Sequence, residues 1–321
     1  MSFARMMNRL AAAIERGHFM AAATEMCRIA NGIAYRTIST IDECAAIVAL
    51  ERKVWGPDYD EALPVSMLKV TTILGAILLG AFDADGEAIG FVYSLPGDRN
   101  GHARQWSYKL CVAAHFRNSG IAHHLKLLQR AYALERGFDL IEWTFDPLQT
   151  NYGHFNFSKL GVVVDEYAED FYGAAMVPVK SRGIPTDRFI AAWNLRDERV
   201  QRLSAHDAPQ NNPSPSTFCG CYGDTAWSNR TIAQGEWLEC DAVNLDLATP
   251  RIVVEIPSGF SDMVSKAPNL AFDWRFKTRE IFRHYFSRDY RIQEFALEVS
   301  QRKGAYLLVK KPGKGHQRNG S

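Results

Sequence analysis

The residues of this chain that are best suited to chemistry follow the short apolar strand YKLCV. They form the turn Arg117, Asn118, Ser119, Gly120, Ile121 and Ala122. A long amphipathic helix pattern begins at the end of this turn. The first turn of a helix presents backbone N–H groups without intrahelical partners, at the positive end of the helix dipole. Gly120 lets a ligand approach that backbone closely. The pattern predicts an anion site, and a pyrophosphate fits it.

The elements around the turn narrow the interpretation. The spacing is Arg-x-x-Gly-x-Ala, and the helix is followed directly by a second apolar strand, FDLIEWTF. Asn151 and a short helix ending in KLG come next. Together these features resemble the GCN5-related N-acetyltransferase superfamily, GNAT, and within it a subgroup of larger bacterial proteins with an extra C-terminal region. The alternative is a generic strand–turn–helix crossover of an α/β domain.

The resemblance implies a role for each part of this segment. In GNAT proteins the loop cradles the pyrophosphate of acyl-CoA, and the preceding strand splays from its neighbour to pair with pantetheine. By resemblance, Leu110, Cys111 and Val112 pair with pantetheine, and a backbone N–H near Val112 stabilises the tetrahedral oxyanion. The same resemblance places Asn151 among the acyl-CoA-binding residues. The apolar side chains of the strand equally suit a plain sheet core.

Acyl transfer to an amine needs a base for the amine proton and an acid for the leaving thiolate. The superfamily often supplies the acid as a tyrosine four residues before the closing glycine, but this chain has Phe157 there. The candidates for a catalytic or acceptor-binding role are Glu142, His154 and Asp146. Glu142 interrupts an apolar strand, which is costly unless it is solvated or functional. Asp146 precedes a proline, so it alternatively only shapes the turn.

Two basic residues farther along the helix have competing interpretations. Lys126 and Arg130 either meet the 3′-phosphate of the donor or form a solvated helix face, and we favour the solvated face. The helix is apolar at Ile121, Leu125 and Leu128, so this stripe is expected to face a sheet.

The order of predicted elements indicates an α/β (α+β) fold of the GNAT type, with a mixed central sheet flanked by helices and a smaller C-terminal α/β region extending it. Strands are predicted at 33–39, 76–83, 87–96, 104–112, 138–145, 162–173, 188–195, 251–257, 289–299 and 304–310. Helices are predicted at 41–55 with Thr40 as N-cap, 64–74, 120–136, 149–161 and 269–287. Asp85-Gly86 predicts a hairpin turn.

These elements divide the chain into five predicted parts. Residues 1–32 form a helix or leader, 33–203 the GNAT domain, 204–236 a linker, 237–310 a half-GNAT-like α/β region, and 311–321 a disordered tail. The C-terminal region either extends the first sheet or packs across a homodimer.

Composition limits the classes of partner. The 321 residues carry 37 Lys and Arg against 36 Asp and Glu, so the formal net charge is +1. This balance gives no general attraction to nucleic acid or to an anionic membrane. No apolar run reaches spanning length. Cys219 and Cys221 form a C-x-C pair without a second pair at metal-finger spacing, so we expect free thiols, no metal and a cytoplasmic location.

The leading hypothesis is therefore a cytoplasmic acyl-CoA-dependent N-acyltransferase. Its donor would be acetyl-CoA or another acyl-CoA such as succinyl-CoA, and its acceptor a small-molecule amine or amino acid. The main alternative is a GNAT-fold protein that binds acyl-CoA without transferring the acyl group. A transferase using a charged RNA as donor would need a basic groove, which the net charge does not favour.

Overall fold

The computed structural model describes residues 32–57, 59–173, 183–205 and 224–312. The strands are β1 (Ala34–Thr37), β2 (Ile77–Phe82), β3 (Ala88–Arg99), β4 (His102–Val112), β5 (Leu140–Phe145), β6 (Val163–Ala168), β7 (Arg188–Asn194), β8 (Thr225–Trp227), β9 (Thr231–Gln234), β10 (Trp237–Cys240), β11 (Arg251–Pro257), β12 (Tyr290–Glu298) and β13 (Lys303–Lys310). The α-helices are α1 (Ile41–Trp55), α2 (Val65–Ile73), α3 (Ile121–Glu135), α4 (Thr150–Gly153), α5 (Glu198–Ala205), α6 (Phe260–Lys266) and α7 (Pro268–Ser287).

The chain forms two compact units. The first comprises Met1–Trp143 and Trp193–Ala208, and the second comprises Thr144–Ala192 and Pro209–Ser321. The boundaries fall inside β5 and β7. The units therefore differ from the predicted domains, because residues 144–192 group with the C-terminal region and not with the N-terminal one.

The first unit is built on antiparallel strands. β1 pairs with β2, β2 with β3, and β3 with β4, all antiparallel, while β4 pairs with β5 in parallel. The hairpin between β2 and β3 turns at Gly86, whose φ of 81° is the left-handed conformation that glycine adopts most readily. The predicted Asp-Gly hairpin is thus confirmed.

Helix α1 begins where the sequence predicts. Thr40 accepts a hydrogen bond from the backbone of Glu43, and the Glu43 side chain accepts one from the backbone of Thr40. This capping box satisfies backbone N–H groups that the first helical turn leaves without partners.

The helices of the first unit cover both faces of its strands. Phe91 packs in the apolar cluster that includes Cys44, Ile47 and Leu50 of α1. The neighbouring Gly90 points to the other face, where a Cβ would lie 3.1 Å from Ile121 and 3.5 Å from Leu125 of α3. Since consecutive strand residues face opposite sides, α1 and α3 lie on opposite faces. The predicted mixed sheet flanked by helices is confirmed.

The strands of the second unit run in the order β7-β6-β12-β13-β11-β8. β6 pairs with β7 and, at Val164 and Ile292, with β12. The C-terminal region therefore extends the sheet that β6 and β7 begin, as predicted. Helix α7 packs on this sheet through Phe282, which contacts Phe189 and Tyr306 with ring centroids 4.7 and 5.7 Å apart.

The segment predicted as a linker contains structure. β8 and β9 lie within residues 204–236, and β8 pairs in parallel with β11. Helix α6 was also missed. These elements are three to seven residues long, too short for a periodic pattern, and β8 is fixed by a partner distant in sequence. Residues 1–31, the Cys219/Cys221 pair and residues 313–321 of the predicted tail lie outside the described residues.

Candidate functional site

The predicted anion loop joins β4 to α3 within the first unit. Ala113 N donates to Ile89 O at 2.8 Å, which holds the start of the loop against β3. A 3₁₀ turn at Ala114–Phe116 follows, and α3 begins at Ile121. The backbone of Asn118 is left-handed, with φ 64°, and so is that of Gly120, with φ 88°. This geometry lets the chain turn sharply into the helix.

The N-terminus of α3 is open to a ligand. No side chain among the described residues caps it, and residues 117–120 are all exposed. Ser119 Oγ donates to Phe116 O at 2.6 Å and so folds back on the loop. The exposed Arg117 guanidinium makes one long hydrogen bond, from Nε to Val112 O at 3.4 Å. Uncapped helical N–H groups beside an exposed arginine suit a phosphate or pyrophosphate.

Position 120 favours glycine because of its backbone conformation and not because a side chain would lack room. A Cβ at this position would lie 3.7 Å from the nearest atom of His124, which is an ordinary contact. At φ 88°, however, an L-residue is strained. The imidazole of His124 hydrogen-bonds Gly120 O at 3.0 Å and stacks on Tyr35, with centroids 5.4 Å apart. His124 and Tyr35 therefore hold the backbone of the loop in position at Gly120.

The strand before the loop separates from its parallel neighbour. β4 pairs with β5 only at Gln105–Ile141 and Trp106–Glu142, although β4 continues to Val112. Its other edge stays paired with β3 as far as Val112. The three predicted pantetheine-pairing residues, Leu110, Cys111 and Val112, lie in this separated part. Burial raises the pKa of the Cys111 thiol to about 12, so this thiol stays protonated and is not a nucleophile.

A β-bulge lies at the point of separation. The register of β3 and β4 shifts so that Tyr93 opposes Lys109 while Ser94 opposes Ser107, which leaves Tyr108 as the extra residue. Ser107 contacts α3 through Gln129, whereas Lys109 contacts α1 through Glu51. Residues two apart would normally face the same side, so the bulge has reversed the alternation.

The candidate Glu142 takes part in an ion pair within the first unit. Arg104 Nη1 donates to Glu142 Oε2 at 2.6 Å, and both side chains are nearly buried. This pair explains how a charged residue is tolerated in an apolar strand.

The expectation of a solvated helix face at Lys126 and Arg130 is wrong. Lys126 is 2% exposed, and its Nζ donates to Gln129 Oε1 at 2.8 Å and to Ser107 Oγ at 3.1 Å. Arg130 donates twice to Leu195 O, at 3.1 and 2.6 Å. The helix is covered on more sides than its apolar stripe predicts, because the chain segment after β7 packs over its polar side.

The candidate Asp146 is engaged within the second unit. Arg275 donates to it through Nη1 at 2.9 Å and Nη2 at 2.8 Å, and Leu148 N donates at 2.9 Å. Burial alone would raise the pKa of Asp146, but the Arg275 charge and these hydrogen bonds outweigh it and hold the pKa below its ordinary value.

The candidate His154 lies in the second unit, at the start of a π-helical segment, His154–Leu160. Its Nδ1 is buried and has no hydrogen-bond partner in the described part of the chain. Burial and then the charge of Lys159 lower its pKa. Asn151 is exposed on α4.

Phe157 stands four residues before Gly161, where the sequence analysis looked for a tyrosine acid. Its ring is fully buried against Tyr306, with ring centroids 5.7 Å apart. The Tyr306 hydroxyl donates to Pro147 O at 2.8 Å. Burial holds the pKa of this phenol well above its ordinary value, and its proton is already engaged by the Pro147 carbonyl.

Three further residues escaped the sequence analysis. Trp55, Tyr59 and Tyr108 of the first unit surround the Lys109 ammonium, with ring centroids 4.9 to 5.6 Å from Nζ. The sequence predicted only that Trp55 ends a helix. The exposure of Tyr108 depends on the β-bulge, and no sequence pattern marks that bulge.

Within the described ranges, no helix has the length and apolar character of a membrane span. The same ranges contain no group of three or more His, Cys, Asp or Glu side chains that could hold a metal ion.

Similar solved structures are GNAT-family acetyltransferases. One from Desulfovibrio desulfuricans is 15% identical, covers 51% of this chain and 99% of its own, and has a TM-score of 0.41. One from Salmonella typhimurium, with acetyl-CoA, is 16% identical, covers 56% of this chain and 99% of its own, and has a TM-score of 0.41. The PaiA N-acetyltransferase of Thermoplasma acidophilum, with coenzyme A, is 18% identical, covers 50% of this chain and 98% of its own, and has a TM-score of 0.36.

No family model and no curated protein matches the chain. The structural similarity is to the family that the Arg-x-x-Gly-x-Ala loop predicted from the sequence. Because the identities and TM-scores are low, the function is inferred below from the geometry of the chain itself.

Proposed function

We propose that this chain is an acyl-CoA-dependent N-acyltransferase of the GNAT type. It would move an acyl group from the CoA thioester to the amine of a small molecule or amino acid by direct attack. The observation that carries the proposal is the course of β4, whose pairing with β5 ends at Trp106 and which then leads into the exposed, uncapped loop at α3.

Each part of this arrangement suits one part of the donor. The N–H groups at the start of α3 and the Arg117 guanidinium suit the pyrophosphate. The separated edge of β4, from Leu110 to Val112, offers backbone groups to the amides of pantetheine, as an added strand would find them. A thioester held beside this edge would have backbone N–H groups within reach of its carbonyl oxygen.

In the proposed reaction one C–N bond forms and one C–S bond breaks. The uncharged amine attacks the thioester carbonyl carbon, the C–N bond forms, and the carbonyl oxygen becomes an oxyanion stabilised by a β4 N–H. The C–S bond breaks, CoA leaves as a thiolate, and the proton lost by the amine ends on the thiol. Glu142, His154 and Asp146 remain the proposed groups for proton transfer or acceptor binding.

The finer features of the function are part of the same proposal. We infer acetyl-CoA as donor, with succinyl-CoA as the second choice, and Asn151 as an additional donor contact. A cytoplasmic location and a homodimer stay predictions from the sequence.

A second candidate is a protein that binds acyl-CoA without transferring the acyl group. It is favoured by Phe157, whose ring cannot donate a proton, and by the ion pairs that engage Glu142 and Asp146. Both candidates share the donor site and differ only in turnover.

Calorimetric titration with acetyl-CoA tests the donor site. We expect Arg117→Glu to weaken binding by about 1.5–3 kcal/mol, or roughly tenfold to a hundredfold, because it replaces a charge-assisted hydrogen bond by repulsion. The same charge change at exposed Arg52, on α1, is the control and should leave affinity unchanged.

Melting curves of both variants show whether folding is preserved, which Arg117 permits because it is exposed. If wild-type protein fails to bind millimolar acetyl-CoA, both candidates are wrong. If acetyl-CoA binds but no amine in a broad panel releases free thiol, the non-catalytic candidate is correct.

A further inference from the structure

The first unit exposes three aromatic rings on one small surface. Trp55 ends α1 and is 43% exposed, Tyr108 is the bulged residue of β4 and is 42% exposed, and Tyr59 in the following loop is half-buried. The ring centroids of Trp55 and Tyr59 lie 5.1 Å apart, and Tyr108 forms a T-shaped pair with Tyr93 whose centroids lie 6.3 Å apart. We call Trp55, Tyr59 and Tyr108 the aromatic patch. Its exposure is costly in water unless something covers it.

The patch stands on a rigid base. Lys109 Nζ, beneath the three rings, donates to Glu51 Oε1 at 2.7 Å and to Glu61 O at 2.6 Å. The other oxygen of Glu51 accepts from Leu63 N at 2.9 Å. Glu51 is completely buried and Lys109 nearly so. These bonds fix the loop between α1 and α2 to β4, so the rings are held in place before any ligand arrives, which lowers the entropic cost of binding.

The position of the patch relates it to the proposed reaction. Tyr108 precedes by two residues the segment that would pair with pantetheine, and it lies where β4 has already separated from β5. At about 3.3 Å per strand residue, its Cα lies within about 7 Å of the Cα of Leu110. A molecule resting on the patch would therefore lie close to the strand segment that is proposed to pair with pantetheine.

The charge of the patch indicates which molecules it suits. The Lys109 ammonium is neutralised by Glu51, so it leaves no net positive charge. The Tyr59 hydroxyl donates to the exposed carboxylate of Glu61 at 3.4 Å. Burial first, and then the charges of Glu61 and Glu51, raise the pKa of Tyr59 well above its ordinary value, and Glu61 is the exposed negative group beside the rings. A ligand with an apolar ring and a positive amine matches this surface, because aromatic faces also attract cations.

We propose that the aromatic patch binds the acyl acceptor, and that the acceptor is an amine with an aromatic or similarly flat apolar body. This inference rests on the proposed function and names its substrate class. The aromatic body lies against Trp55 and Tyr108, and the amine points along β4 toward the thioester.

The test compares three amines, 2-phenylethylamine, n-butylamine and ethanolamine, by thiol release from acetyl-CoA. We expect kcat/KM to be highest for 2-phenylethylamine. Trp55→Leu and Tyr108→Leu should each raise its KM about tenfold, the scale of losing one aromatic contact in a binding site, and change the KM of n-butylamine little. Ile73→Ala, which removes an exposed apolar side chain elsewhere in the same unit, is the matched control and should change neither.

Binding measurements keep the two proposals separate. Acetyl-CoA affinity should be the same in all four proteins, because the substitutions leave the proposed donor loop, Arg117 to Ala122, unchanged. Titration of 2-phenylethylamine into protein saturated with acetyl-CoA tests the patch even if turnover is absent. If acetyl-CoA does not bind, the same titration on protein alone still tests the patch.

Several outcomes would overturn the inference. Equal kcat/KM for the three amines would do so, as would unchanged KM and unchanged affinity for 2-phenylethylamine in both patch variants. The inference would also be wrong if the patch were an interface between two copies of the chain. Sedimentation would then find a dimer that Trp55→Leu dissociates, with KM unaffected.

Discussion

The buried ammonium of Lys126 should reduce the stability of the folded protein. The ammonium packs on Trp143, 3.6 Å from the ring centroid, and within the described residues it donates hydrogen bonds to the neutral groups Gln129 and Ser107. Burial holds the pKa of Lys126 well below the ordinary 10.5 of a lysine. We expect Lys126→Met, which keeps the unbranched shape without the charge, to stabilise the protein.

The magnitude follows from what the substitution removes. It loses two hydrogen bonds worth about 1 kcal/mol each and a ring contact worth about 0.5–2 kcal/mol. It also removes a desolvation penalty of several kcal/mol. Gln129 Nε2 still donates to Ser107 Oγ at 3.1 Å, so these two groups keep each other as partners. The expected net gain is about 1–3 kcal/mol, or a few degrees in Tm.

The sign of the pH dependence is fixed by the lowered pKa. Between the folded-state pKa and 10.5, the unfolded chain binds a proton at Lys126 that the folded chain does not, so wild-type stability rises with pH in that window. Below the folded-state pKa the penalty is complete, and above 10.5 it disappears. The advantage of Lys126→Met should therefore shrink as pH rises toward 10.5.

Urea unfolding at pH 7 and pH 9.5 measures both effects. Lys126→Arg is the matched comparison and should be strongly destabilising, because a guanidinium cannot lose its proton. A less stable Met variant whose deficit is the same at both pH values would refute the reasoning.

Three other outcomes are expected. Arg275→Met should destabilise the protein by about 3–5 kcal/mol in urea unfolding, because it leaves the buried carboxylate of Asp146 without its partner. Thr40→Ala should cost about 1 kcal/mol in the same assay, since it removes one half of the capping box, whereas Thr40→Ser should cost much less. If His154 accepts the amine proton, kcat/KM should fall on the acid side with a midpoint below pH 6.5, and His154→Gln should abolish that limb while acetyl-CoA affinity is retained.

The elements that local patterns determine could be predicted. Helix α1 begins at its capping box, and the β2–β3 hairpin turns at Asp85-Gly86, because a few neighbouring residues fix each of these features. The loop from Arg117 to Gly120 belongs to the same class. Its glycine, its exposed arginine and the helix that follows are all readable within one short segment.

Features that depend on distant partners could not be predicted. The bulge at Tyr108 arises from the register between two strands, and no residue type marks it. Lys126 reads as a surface residue of an amphipathic helix, but the rings of Trp143 on β5 and Trp193 on β7 cover it. The pair Asp146–Arg275 joins residues 129 positions apart. The grouping of 144–192 with the C-terminal strands has the same cause, since β6 pairs with β12.

The three candidates for proton transfer differ in what each would have to give up. Glu142 would have to leave a 2.6 Å ion pair with Arg104, and Asp146 would have to leave a buried arginine that donates to both of its oxygens. Breaking such a pair strands a buried charge, and that cost would add to the activation barrier. His154 has no ion pair to break, because its Nδ1 has no partner within the described residues, but burial and the charge of Lys159 disfavour its protonated form. The cost of using each candidate as a base therefore differs in kind: a broken ion pair for Glu142 and Asp146, and the protonation of a buried ring for His154.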